Sequence, residues 1–163
     1  KTITNGIDLS GEGGLVWIKS RSQARDNILF DTERGATKLL KSNSTGAEVT
    51  TVLSGTSYGL TSFTSSGFTL AQNWTGENES GADTCSWTFR KAPGFFDIVT
   101  WTGDTTDGRE ISHDLGSTPG TIVGTLFIDL NPQNTALLNQ TGHFRLLLVV
   151  VITCQRCLAI HQV

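Results

Sequence analysis

Residues 83–91 (DTCSWTFRK) decide the fold class. Cys85, Trp87 and Phe89 alternate there with Thr84, Ser86, Thr88 and Arg90. Successive side chains of a strand point to opposite faces, so this period of two predicts a strand with one buried face. Trp87 is expected in the core. Related runs lie on both sides of this stretch. They are residues 15–20 (LVWIKS), 27–31 (NILFD), 49–53, 60–64, 67–71, 95–101 (FFDIVTW) and 121–128 (TIVGTLFI). Gly-rich turns separate them at spacings of roughly 8–12 residues, the pattern of a sandwich or barrel. Only residues 32–41 (TERGATKLLK) carry a helix signal, enough for a turn or two, and Gly35 interrupts it. The reading is all-β, with antiparallel sheets packed face to face.

Composition agrees. The 163 residues include 18 Gly, 24 Thr and 14 Ser, but only 3 Pro and no Met. Thr and aromatics favour strands, and Gly serves the turns between them. A charged fraction of 17% is too low for a coiled coil or an acidic disordered tail. The net charge of −3 argues against a general binder of nucleic acid or anionic membranes. Lys19, Arg21, Arg25, Arg34, Lys38 and Lys41 cluster, but Asp26, Asp31 and Glu33 are interleaved with them, which reads as a mixed solvated surface. No apolar segment of a signal peptide opens the chain, and starting at Lys1 it reads as a processed or truncated piece. The longest apolar run, residues 146–152, is too short to span a bilayer.

Two features concern organisation. Ile7-Asp8-Leu9-Ser10-Gly11, followed by Gly14-Leu15-Val16, is echoed by His113-Asp114-Leu115-Gly116, followed by Gly120-Thr121-Ile122-Val123. Each copy is a short polar turn, a Gly-containing loop and an apolar strand, so a second unit is expected to begin near Phe95. After Val123 only Asp129, Arg145 and Arg156 are charged. The domain reading is therefore a main unit at 1–94, closing strands or the start of a second repeat at 95–123, and an atypical segment at 124–163. The run at 146–152 fits a buried central strand, or sequence that did not evolve with the rest, such as a frame change in the gene. Cys154 and Cys157 form a CxxC pair without a βαβ context or a second metal half-site, and Cys85 stands alone.

The phrases NGIDLSGEGGLVWIKSR (5–21), LFDTERGATKLLKSNSTGAE (29–48), SWTFRKAPGFFDIVTWTG (86–103) and GREISHDLGSTPGTIV (108–123) resemble a family of marine-bacteriophage virion proteins. These are tail-fibre or tail-associated proteins with concanavalin A-like (laminin G-like) β-sandwich units. Trp87-Thr88-Phe89-Arg90-Lys91-Ala92-Pro93, followed by Phe95-Phe96-Asp97, carries most of the resemblance. The likeness runs from Asn5 to Val123 and departs at Gly124. It implies a jelly-roll-like, concanavalin A-like topology and a place in the virion, at the particle surface or tail. The expected partners are other virion proteins, further copies of the chain (fibre proteins are commonly trimers) and host surface polysaccharide. A capsid-surface decoration protein is the alternative, and a carbohydrate-active enzyme a weaker one. Laminin G-like sandwiches also bind Ca²⁺ at a loop rim.

Candidate site residues follow from residue types. Glycoside hydrolysis needs two carboxylates flanking one bond. Glu77 and Glu79 have a spacing that could share a strand face, but they sit in a loop, WTGENESG. Ser112-His113-Asp114 holds three triad residue types, yet neighbours in sequence point apart and read as a turn. No GxSxG, HExxH or P-loop occurs, and the chain is expected to be non-enzymatic. A glycan site needs an exposed aromatic ring beside amides and carboxylates. Trp74, with Asn73, Glu77 and Asn78, has that makeup in a polar loop, whereas Trp17 and Trp101 sit among apolar strand residues and are expected to be packed. Asp104 and Asp107 in GDTTDG offer hard oxygen ligands suited to Ca²⁺. The same loop is also simply a good turn.

Overall fold

The computed structural model describes residues 1–53, 55–71, 78–102, 107–126 and 145–151. Among these residues thirteen strands run in chain order: β1 (Thr2–Thr4), β2 (Gly14–Ser20), β3 (Ile28–Asp31), β4 (Lys38–Lys41), β5 (Val49–Thr50), β6 (Val52–Leu53), β7 (Thr56–Ser57), β8 (Leu60–Thr64), β9 (Gly67–Leu70), β10 (Thr84–Arg90), β11 (Phe96–Thr102), β12 (Thr121–Leu126) and β13 (Arg145–Val151). Among the described residues there is no helix, and every strand pairing is antiparallel. The fold is an all-β sandwich. One sheet has the order β10-β2-β3-β4-β5, and the sheet opposite it β1-β9-β8. The chain changes from one of these sheets to the other between β1 and β2, between β5 and β8, and between β9 and β10. Its first two strands therefore pair with β9 and β10, more than sixty residues away in sequence.

The core explains why some strands lack alternation. Val16 and Ile18 of β2, Ile28 and Phe30 of β3 and Leu39 of β4 pack against Leu60, Phe68 and Leu70 of the opposite sheet. The intervening residues Leu15, Leu29 and Leu40 point the other way, onto Phe96 and Ile98 of β11. The middle of the larger sheet is thus buried on both faces, and strands in that position read as near-continuous apolar runs. This is the physical content of LVWI and ILF. The strand β11 belongs to a third sheet, order β11-β13-β12, in which residues 145–151 hold the central position.

Residues 32–41 form no helix. Asp31 Oδ1 accepts the Arg34 N–H at 2.9 Å, Gly35 takes φ = 101°, and the chain then enters β4. Leu39 and Leu40 are buried on opposite sides of the sheet, an outcome a strand permits and a short helix does not. Gly67 opens β9 at φ = 150°, with the Ile3 carbonyl oxygen where a Cβ would sit. Only a residue without a side chain lets β1 approach this closely.

The two echoed turns are both anchored by their leucines. Leu9 and Leu115 are each 1% exposed. In the first turn the Asp8 carboxylate accepts the Gly11 N–H and the Ser10 hydroxyl, and Leu9 N–H bonds to Thr64 O. In the second, Asp114 N–H donates to the Asp97 carboxylate at 2.8 Å, and Leu115 O accepts the Gly94 N–H.

Candidate functional site

The phrase that carries most of the family resemblance builds a clamp. Lys91, the residue that follows β10, places its ammonium 2.8 Å from Glu33 and 3.1 Å from Asp97. Ala92 bridges to Phe96 across a turn in which Gly94 takes φ = 70°, which sends the chain back as β11. Phe89 stacks on Phe96 with ring centroids 5.5 Å apart. These contacts join the larger sheet to β11.

Asp97 is buried within this clamp. Burial pushes its carboxyl up, but the Asp114 N–H, the Lys91 ammonium and the Ile98 N–H outweigh burial and hold it below the ordinary value of 3.8. Burial lowers Lys91, yet Glu33 and Asp97 more than offset this, so its ammonium is raised above 10.5. A depressed carboxyl stabilises the fold fully above its unfolded value, and the contribution vanishes as pH falls through the folded one. For the raised ammonium the loss comes as pH rises through its folded value. Urea unfolding at pH 7 and pH 3 should therefore show a larger acid loss in the wild type than in Asp97→Asn. Equal losses would contradict the clamp.

A cleft of about 630 Å³ opens on one side of the sandwich, between the outer strands β1 and β10. Its floor is the core itself, the buried side chains of Ile18, Phe68 and Leu70. Its rim is polar: Lys1, Asn78, Glu79, Thr84 and Ser86 are among the residues around it. Asn78 is held by donating its amide N–H to Ala71 O. Glu79 is paired with Arg25 at 2.8 Å, and the Lys1 α-ammonium bonds to Leu70 O. An apolar floor under a ring of amide, hydroxyl and charged groups suits a polyhydroxylated ligand, with C–H faces below and hydroxyls at the rim.

Of the glycan-binding candidates, Asn78 lies on this rim. Asn73, Trp74 and Glu77 lie outside the described residues, as does the Ca²⁺ candidate Asp104, while Asp107 is exposed. Among the described residues no three of His, Cys, Asp and Glu converge as a metal site would require. His113 Nδ1 accepts the Leu115 N–H within the turn. The cleft escaped the sequence reading because β1 is only three residues long, too short to announce that it borders β10 across the sandwich.

Trp87 is not in the core. It is 48% exposed, and its ring lies 5.5 Å from that of Trp17, at 56°. Alternation identified its face correctly: it lies beside Trp17, which Leu29 flanks on the other side. But β10 is the outer strand, and the packing from β11 involves Phe89 rather than Trp87. Trp17 is half-buried, with its indole N–H on Asn27 Oδ1 at 3.2 Å, and Trp101 is half-buried on β11.

The model of a family described as a domain of unknown function, DUF7483, matches residues 3–132 of the chain. That span holds both echoed turns, β1 apart from Thr2, β2 to β12, and every residue of the cleft except Lys1. Neither a curated protein nor a solved structure matches.

Proposed function

We propose that this chain, a sandwich that belongs to the DUF7483 family, is a non-enzymatic structural module of a bacteriophage particle. It sits in a tail fibre or tail-associated assembly and binds a host surface glycan. The observation that carries the binding role is the cleft, where a core-derived apolar floor meets a rim of Asn78, Ser86, Thr84 and Lys1. Placement in the virion rests on the resemblance of the quoted phrases to phage tail proteins. The rim carboxylate Glu79 is tied to Arg25, an arrangement suited to orienting a ligand rather than to acid catalysis.

The test is a screen of the intact chain against bacterial surface polysaccharides, followed by calorimetry on the hits. Binding should be present and should weaken at least about tenfold in Asn78→Ala, the loss of one hydrogen bond made in a sheltered site. No glycan binding, with affinity for capsid alone, would replace this reading with that of a capsid-surface protein. Polysaccharide cleavage would make the chain an enzyme.

A further inference from the structure

Among the described residues the outer edge of β10 is unpaired. Lys91 N–H bonds to Gly13 O, and Asp83 O accepts the Arg21 N–H. In an antiparallel ladder the hydrogen-bonded pairs alternate, so the odd-numbered residues of β10 turn their main-chain groups towards β2. Thr84, Ser86, Thr88 and Arg90 therefore turn their N–H and C=O groups away from the sheet. Among the described residues no strand pairs with that side. The other outer strands of the sandwich are blunted: β1 and β5 have three and two residues, and β8 carries a register shift between Leu60 and Ser62. By contrast, β10 has seven residues, contains neither Pro nor Lys, and presents the exposed Trp87 at its centre.

The geometry points to a second copy of this chain as the partner of that edge, in a two-fold dimer in which β10 pairs antiparallel with itself about Trp87. The strand is its own complement in this register. Ser86 meets Thr88 of the partner subunit and Thr84 meets Arg90 of the partner subunit. These are all positions with outward main-chain groups, so each pair exchanges both hydrogen bonds. At the centre Trp87 lies against Trp87 of the partner subunit, extending the Trp17–Trp87 contact into a continuous aromatic row across the axis. A self-complementary patch related by a two-fold axis closes the assembly at two copies. Thr84 and Ser86 also stand on the rim of the cleft, so the dimer borders it, and its test reads mass rather than ligand binding.

Sedimentation of the full chain tests it. The wild type should run as a dimer and Ser86→Pro as a monomer of half the mass. The Ser86 N–H points away from β2, so proline there removes no bond of the protomer's own ladder. A monomeric wild type, a trimer, or a dimer unaffected by Ser86→Pro would overturn the proposal. A second measurement holds even if that variant fails to fold. With Cys85, Cys154 and Cys157 changed to Ser, oxidised Trp87→Cys should form a disulfide-linked dimer, because non-hydrogen-bonded pairs bring Cα atoms to about 4.5 Å. Thr88→Cys should not. A crosslink at Thr88→Cys but not at Trp87→Cys would exclude the register.

Discussion

Asp31→Ala is expected to destabilise the sandwich by roughly 3–5 kcal/mol, the cost of stripping one partner from a buried ion pair. Asp31 ends β3 with its side chain fully buried. It receives the Arg34 guanidinium at 2.5 Å and the Arg34 main-chain N–H at 2.9 Å. The Arg34 side chain is itself 9% exposed and also donates to Leu29 O. Removing the carboxylate leaves a guanidinium in the protein interior with Glu48, 3.4 Å away, as its remaining carboxylate. It also removes the acceptor that shapes the turn into β4. Glu48→Ala should cost about 1 kcal/mol or less, because Glu48 is more exposed and its pairs are longer. Urea unfolding of the two variants separates the cases. Equal small losses would show that Arg34 does not depend on Asp31.

Phe30→Ala should cost a similar amount, about 3–5 kcal/mol, by a different mechanism. Phe30 lies on the central strand β3, inaccessible to solvent, within the cluster that joins the two sheets. Truncation removes the ring's burial and leaves a cavity between layers that cannot close, because the strands are fixed by their ladders. The urea midpoint should fall with the slope unchanged, since the same surface is exposed on unfolding. A loss below about 1 kcal/mol would mean that the sheets are not packed through this ring.

What the sequence disclosed followed from local pattern. Alternation in DTCSWTFRK gave a strand and its faces, and the Gly-punctuated runs gave the sandwich. The weak helix signal of TERGATKLLK goes unrealised because the pair Leu39-Leu40 serves two cores at once, a tertiary demand that a window of ten residues does not display. The same limit applied to Trp87. Period two assigns a residue to a face, but what covers that face depends on which strand lies at the edge, and β10 became an edge only through its pairing with β2 far upstream. The phrase FRKAPGFFD was legible as a signature, while its reason, the Lys91–Asp97 contact across a tight turn, required the structure. Of the candidate site, Asn78 lies on the rim of the cleft. The apolar floor was invisible, since Ile18, Phe68 and Leu70 come from strands distant in sequence and read only as core.

The proposed glycan enters the cleft between β1 and β10. Amide chemical shifts of the isotope-labelled full chain, recorded while a bound host polysaccharide fragment is titrated in, test it most directly. Shifts should concentrate at Ile3, Phe68, Asn78, Ser80, Thr84 and Ser86, with the turn around Asp107 and Gly108 unmoved. Shifts centred on that turn, with the cleft residues unchanged, would contradict it.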